Sequence, residues 1–153
     1  MPEVWFYHLL GQPLERTLPA LLERALQRDW RVVVQVAEEA RVHALDDLLW
    51  NYAPDAFLPH GCARDGDAEG QLIWLTAGED DPIEAHLRIC AAGVGAGAAA
   101  RSGRGYERVI LIFDGADDEA LSAARAEWKA LKGEGFTLSY WQQTDSGGWE
   151  KKA

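Results

Sequence analysis

The 153-residue chain is poor in the features that define several large protein classes. Its apolar runs, such as residues 109–113, fall far short of the ~20 residues a membrane helix requires, so no membrane association is expected. The start, Met1-Pro2-Glu3, has neither the basic residues nor the apolar stretch of a secretory signal, and a cytoplasmic protein is the expectation. Two cysteines, Cys62 and Cys90, make no disulfide framework and suit a reducing compartment. Positive charge is scarce: 15 basic residues face 25 acidic ones, for a net charge of −10. Such a field repels a phosphate backbone, which excludes a nucleic-acid binder that uses its whole surface. No Gly-x-x-x-x-Gly-Lys-Ser/Thr loop occurs, and phosphate-driven NTPase chemistry is excluded with it.

What the chain does have is alternation of strand and helix patterns over a length suited to one core. Residues 4–9 read as a buried first strand. Gly11-Gln12-Pro13 turns into a helix with Leu14, Leu18, Leu21, Leu22 and Ala25 on one face. Pro19 is expected near the start of that helix or at a kink, with Thr17 as its cap. Residues 31–36, rich in valine, form a second strand, and 38–51 a second helix. The Gly- and Asp-rich stretch 61–70 reads as a surface loop. Strands follow at 71–76, 85–91 and 109–113, with a small-residue loop or irregular helix over 93–105. A helix over 117–132 starts acidic and ends basic, as the helix dipole favours, and a last strand spans 136–142. This order predicts a three-layer α/β single domain with a mostly parallel central sheet, covering residues 1–144. Residues 145–153 are expected to be a flexible tail.

Catalytic chemistry is hard to find. Gly93-Val94-Gly95-Ala96-Gly97 follows a strand and loosely fits a dinucleotide loop, so a small nucleotide-dependent enzyme using this loop is the alternative reading. No acidic residue ends a convincing next strand about 20 residues on. His60 and Cys62 lack the companions that a zinc site or an activated nucleophile needs. The pairs Asp46-Asp47, Asp80-Asp81 and Asp117-Asp118 diverge by about 100° on a helix and alternate faces on a strand, so they read as solvated faces, caps and turns. No catalytic, cofactor or metal residue is assigned.

Two aromatic positions are more informative. On the second helix Val42, Leu45, Leu48 and Leu49 form a stripe, and Trp50 projects roughly 130° from its centre. Either Trp50 is a contact surface, since Trp dominates binding hot spots, or the helix frays and Trp50 folds onto a loop. On the third long helix Leu121, Ala124, Trp128 and Leu131 share a stripe bordered by Arg125, Lys129 and Lys132. Trp128 is either a core residue with snorkelling basic neighbours or the border of a site for an acidic, hydrophobic peptide.

Several passages together resemble one family. They are Phe6-Tyr7-His8-Leu9, Arg31-Val32-Val33-Val34, Leu45-Asp46-Asp47-Leu48-Leu49-Trp50, Phe57-Leu58-Pro59-His60 and Arg125-Ala126-Glu127-Trp128-Lys129 with Gly135-Phe136. In these the chain resembles the chi subunit of bacterial DNA polymerase III, an accessory protein of the clamp-loader assembly. The resemblance implies a nucleotide-binding-like fold without a phosphate loop, no catalysis of its own and no cofactor. It implies a bridge in DNA replication. One surface would hold the psi subunit, another clamp-loader component or a helicase, through Trp50 and Phe57 with His60 beside them. Another would hold the acidic, Phe-ending C-terminal tail of single-stranded DNA-binding protein through Arg125 and Trp128, helped by Lys129 and Lys132. DNA would be met only indirectly. The chain departs from the family's best-studied form in having Leu121 in place of a lysine, Asp114 in place of an apolar residue and Trp128 in place of a tyrosine.

Overall fold

A computed structural model of the chain describes residues 1–51, 60–62 and 71–153. The central strand is the first one, β1 (Glu3–Leu9). It is paired in parallel on one side with β6 (Arg108–Asp114) and on the other with β7 (Leu138–Gln143). From β6 the sheet continues through β5 (Leu87–Cys90), β2 (Val32–Gln35) and β4 (Ile73–Thr76) to the short β3 (Gly61–Cys62). Among the described residues the sheet has eight strands in the order β3-β4-β2-β5-β6-β1-β7-β8. Every pairing is parallel except the last, where β8 (Trp149–Lys151) runs antiparallel to β7.

Side-chain alternation along the strands builds two cores, one on each face of the sheet. On one face Val32, Val34, Ile110 and Ile112 pack against α1 (Leu14–Gln27) and α2 (Glu39–Asn51). On the other, Val4, Phe6, Leu111 and Phe113 meet the short α3 (Gly97–Ala100) and α4 (Asp118–Gly133). The predicted three-layer, mostly parallel α/β architecture is the observed one.

Local departures have identifiable causes. Helix α1 begins at Leu14, so Pro19 lies inside it and Thr17 is not its cap. The Thr17 hydroxyl instead donates to the Pro13 carbonyl at 3.1 Å. A buried Pro19 costs the helix one backbone hydrogen bond, offset by packing of the apolar face. Of the stretch expected as a surface loop, residues 61–62 are a buried strand, and 63–70 lie outside the described residues. The expected flexible tail is corrected more fully. Thr144 to Gly148 close a turn, with Thr144 N–H donating to Gly148 O at 2.8 Å, and β8 then pairs with β7. Trp149 stacks on Tyr7 with ring centroids 4.7 Å apart, so burial of an aromatic ring holds the hairpin to the sheet.

Candidate functional site

The crevice of this sheet lies where β1 and β6, adjacent and parallel, send their following helices to opposite faces. Ligands of open α/β sheets bind at such switch points. Here the backbone donors that would receive a phosphate already hold the chain's own oxygens. After β1, the N–H groups of Leu10, Gly11 and Gln12 all donate to Gln143 Oε1, at 3.0, 3.1 and 3.1 Å. After β5, Ala96 and Gly97 N–H donate to the Glu127 carboxylate at 3.0 and 2.6 Å. A Cβ added at Gly95 or Gly97 would come within 2.7 and 2.9 Å of Glu127 Oε1, so the carboxylate would have to shift to admit a side chain there.

The cysteines are equally removed from chemistry. Cys62 and Cys90 are both fully buried, and burial pushes the Cys90 thiol up to about 12, keeping it protonated at neutral pH. Among the described residues no three His, Cys, Asp or Glu side chains group as metal ligands.

The first aromatic position stands on the last turn of α2. Val42, Leu45 and Leu49 are buried beneath it, whereas Trp50 is 52 % exposed, the largest exposure of any described aromatic side chain. Its ring lies 4.5 Å from that of His60. His60 is not a surface residue, contrary to expectation: its side chain is fully covered, and Nε2 sits 3.0 Å from Asp46 Oδ1. Asp46, expected on a solvated face, is buried with it. Facing each other, the buried histidine and carboxylate partly offset each other's loss of water, and the Trp50 ring covers part of His60. Phe57 lies outside the described residues.

The second position gathers more groups than the sequence disclosed. Helix α4 starts on Asp117, whose side chain accepts from Glu119 and Ala120 N–H. Its inner face buries Ala124 and Leu131, while Trp128 is half-buried, edge-on to Phe6 at 5.2 Å and to Tyr140 at 5.6 Å. Trp128 therefore serves the core with one edge and reaches the surface with the other. Along the β7 side of α4, Arg125, Lys129 and Lys132 are all exposed.

Within electrostatic reach of Arg125 stand two side chains that sequence reasoning missed, His8 and Tyr140. His8 Nδ1 is 2.7 Å from the Tyr140 hydroxyl, and the His8 ring packs on Phe113 at 5.0 Å. A side chain at Gly115 would fall on the His8 ring, so glycine is needed there. Burial lowers the His8 pKa, the nearby Arg125 charge lowers it further, and Asp114 works against both. Burial likewise raises that of Tyr140, opposed by Arg125. One cation thus biases two polar side chains on neighbouring strands. Asp114 is exposed and accepts from Ala116 N–H at 2.9 Å. The signal for His8 was available: a polar residue at an inward position of an otherwise apolar strand.

A mostly parallel α/β sheet with helices on both faces, its crevice loops held by Gln143 and Glu127, defines a three-layer α/β domain. The family model for the DNA polymerase III chi subunit, HolC, matches residues 1–139, and the chain belongs to this family of accessory subunits of the replicative polymerase. Comparison with curated proteins returned no match. Among the described residues no helix is long and apolar enough to cross a membrane.

Proposed function

We propose that the chain is a replication bridge in the cytoplasm, holding the C-terminal tail of single-stranded DNA-binding protein on the α4–β7 face and a clamp-loader component on the α2 face. The observation that carries this reading is Arg125 standing free to solvent beside the aromatic cluster of Trp128, Tyr140 and Phe113. An acidic peptide ending in phenylalanine presents the complementary groups: a terminal carboxylate for the guanidinium and a ring for the aromatic wall. Lys129 and Lys132 extend the positive rim along the peptide. In a chain of net charge −10 this rim acts only at short range, so affinity is weak, micromolar, and falls with salt across a Debye length of about 8 Å.

On the other face, Trp50 with Phe57 would receive the psi subunit or an equivalent clamp-loader partner, or a helicase, His60 acting from beneath as a support. The β4 and β7 strands near the two faces are five places apart in the sheet, about 24 Å at 4.8 Å per strand. Two partners fit without collision, and DNA is reached only through them.

Calorimetry with the tail peptide tests the first half. Arg125→Ala and amidation of the peptide's terminus should each remove most of the binding. Titrations unchanged by both would move the tail to another surface.

A further inference from the structure

The crevice that takes no phosphate is still an open space. Over the C-terminal ends of β1, β5 and β6 lies a groove of about 730 Å³, within the range of binding cavities, about 300–1,000 Å³. Leu9, Leu10, Leu14, Val94, Ala120 and Ala123 supply apolar walls. Leu10 is 49 % exposed, an apolar side chain left at the lip where nothing in the fold covers it fully.

The rim has a definite sign. Glu15, Asp114, Asp117 and Glu127 line the groove with a single cation, Arg41, and that guanidinium is already 2.7 Å from Glu15. The backbone donors of the loops after β1 and β5 are held by Gln143 and Glu127. An anionic ligand therefore meets a net negative rim, and the donors of the loops after β1 and β5 are already taken. A ligand with an apolar stripe and flanking positive charge finds both walls and rim complementary. From the Asp117 cap to Glu127 the helix borders the groove over ten residue steps, about 15 Å at 1.5 Å per residue. That length accepts the i, i+3, i+7 anchors of a short helix rather than a single small molecule.

We propose that this groove docks a basic, amphipathic helical segment of a partner protein. Its chemistry is opposite to that of the acidic tail assigned to the α4–β7 face, and the two sites do not depend on each other.

The full chain is titrated by fluorescence anisotropy with a labelled synthetic helix carrying leucines at i, i+3 and i+7 between lysines. A second helix has the same leucines and glutamates for every lysine. The expected result is micromolar binding of the basic helix, weakened at least tenfold by the glutamate swap. Ala123→Trp, which fills the groove from an exposed position on α4, should abolish it. If Ala123→Trp fails to give a native circular dichroism spectrum, Leu10→Ser, also at an exposed position, replaces it and should weaken binding severalfold. Equal binding of both helices, no binding of the basic helix, or binding indifferent to the folded groove variant overturns the proposal.

Discussion

At the scale of single residues, His8 links the core to the surface proposed for the acidic tail. Its pKa lies below the ordinary 6.5, chiefly through burial and then through Arg125. A lowered folded pKa means that the native state takes up a proton less readily than the unfolded chain. The resulting stability is fully present above pH 6.5 and is lost as pH falls through the lowered value. Urea midpoints should therefore drop on acidification through this window, and His8→Gln should flatten that part of the profile. Tail binding should respond in the opposite sense. An acidic peptide beside Arg125 favours protonated His8, so affinity should rise from pH 8 toward pH 6 in the wild type and change less in His8→Gln. Trp50 gives a second residue-scale expectation. Trp50→Ala should leave a cooperative thermal transition and weaken capture of the clamp-loader partner by about 2 kcal/mol, roughly thirtyfold, as for a binding hot spot. Its transition should fall modestly as well, because the Asp46–His60 pair loses part of its cover.

At the scale of elements, legibility tracked how local each cause is. The runs Val32-Val33-Val34 and Val109-Ile110-Leu111-Ile112-Phe113 announce buried strands, and the Asp117 cap with its basic far end announces α4, because each signal sits within the element. Pro19 inside α1, the buried Asp46 and the enclosed His60 were not legible, since each depends on a neighbour remote in sequence. The same holds for the candidate site: Arg125 and Trp128 were singled out from helical spacing, whereas His8 and Tyr140 come beside them only when β1 and β7 pair. Strand β8 is the clearest instance. Nothing in Trp149-Glu150-Lys151 demands a strand until β7 offers an edge and Tyr7 a ring. Ending the chain after residue 144 should therefore cost stability and promote association through the bared β7 edge, seen as a lower melting temperature and concentration-dependent light scattering. Glu127 makes a parallel case. Glu127→Ala leaves the Ala96 and Gly97 N–H groups without their carboxylate and should cost about 2 kcal/mol in urea unfolding, the usual range for hydrogen bonds to a charged group.

At the scale of the whole molecule, the order β3-β4-β2-β5-β6-β1-β7-β8 puts the chain's first strand deep in the sheet and its partners late in the sequence. Val4 is opposite Val109 on one side and Leu138 on the other, and Gln143 closes the loop at Leu10, Gly11 and Gln12. During synthesis at roughly 5–20 residues per second, the Val4-Trp5-Phe6-Tyr7 segment leaves the ribosome several seconds before any strand that can cover it. The nascent chain thus carries an unpaired, aromatic β-segment for most of its own translation. The folding rate of the finished chain is correspondingly governed by long-range closure. A newborn chain of this topology is a client for whatever shields apolar segments at the exit tunnel, and its yield in a cell should depend on that shielding more than on the stability of the completed fold.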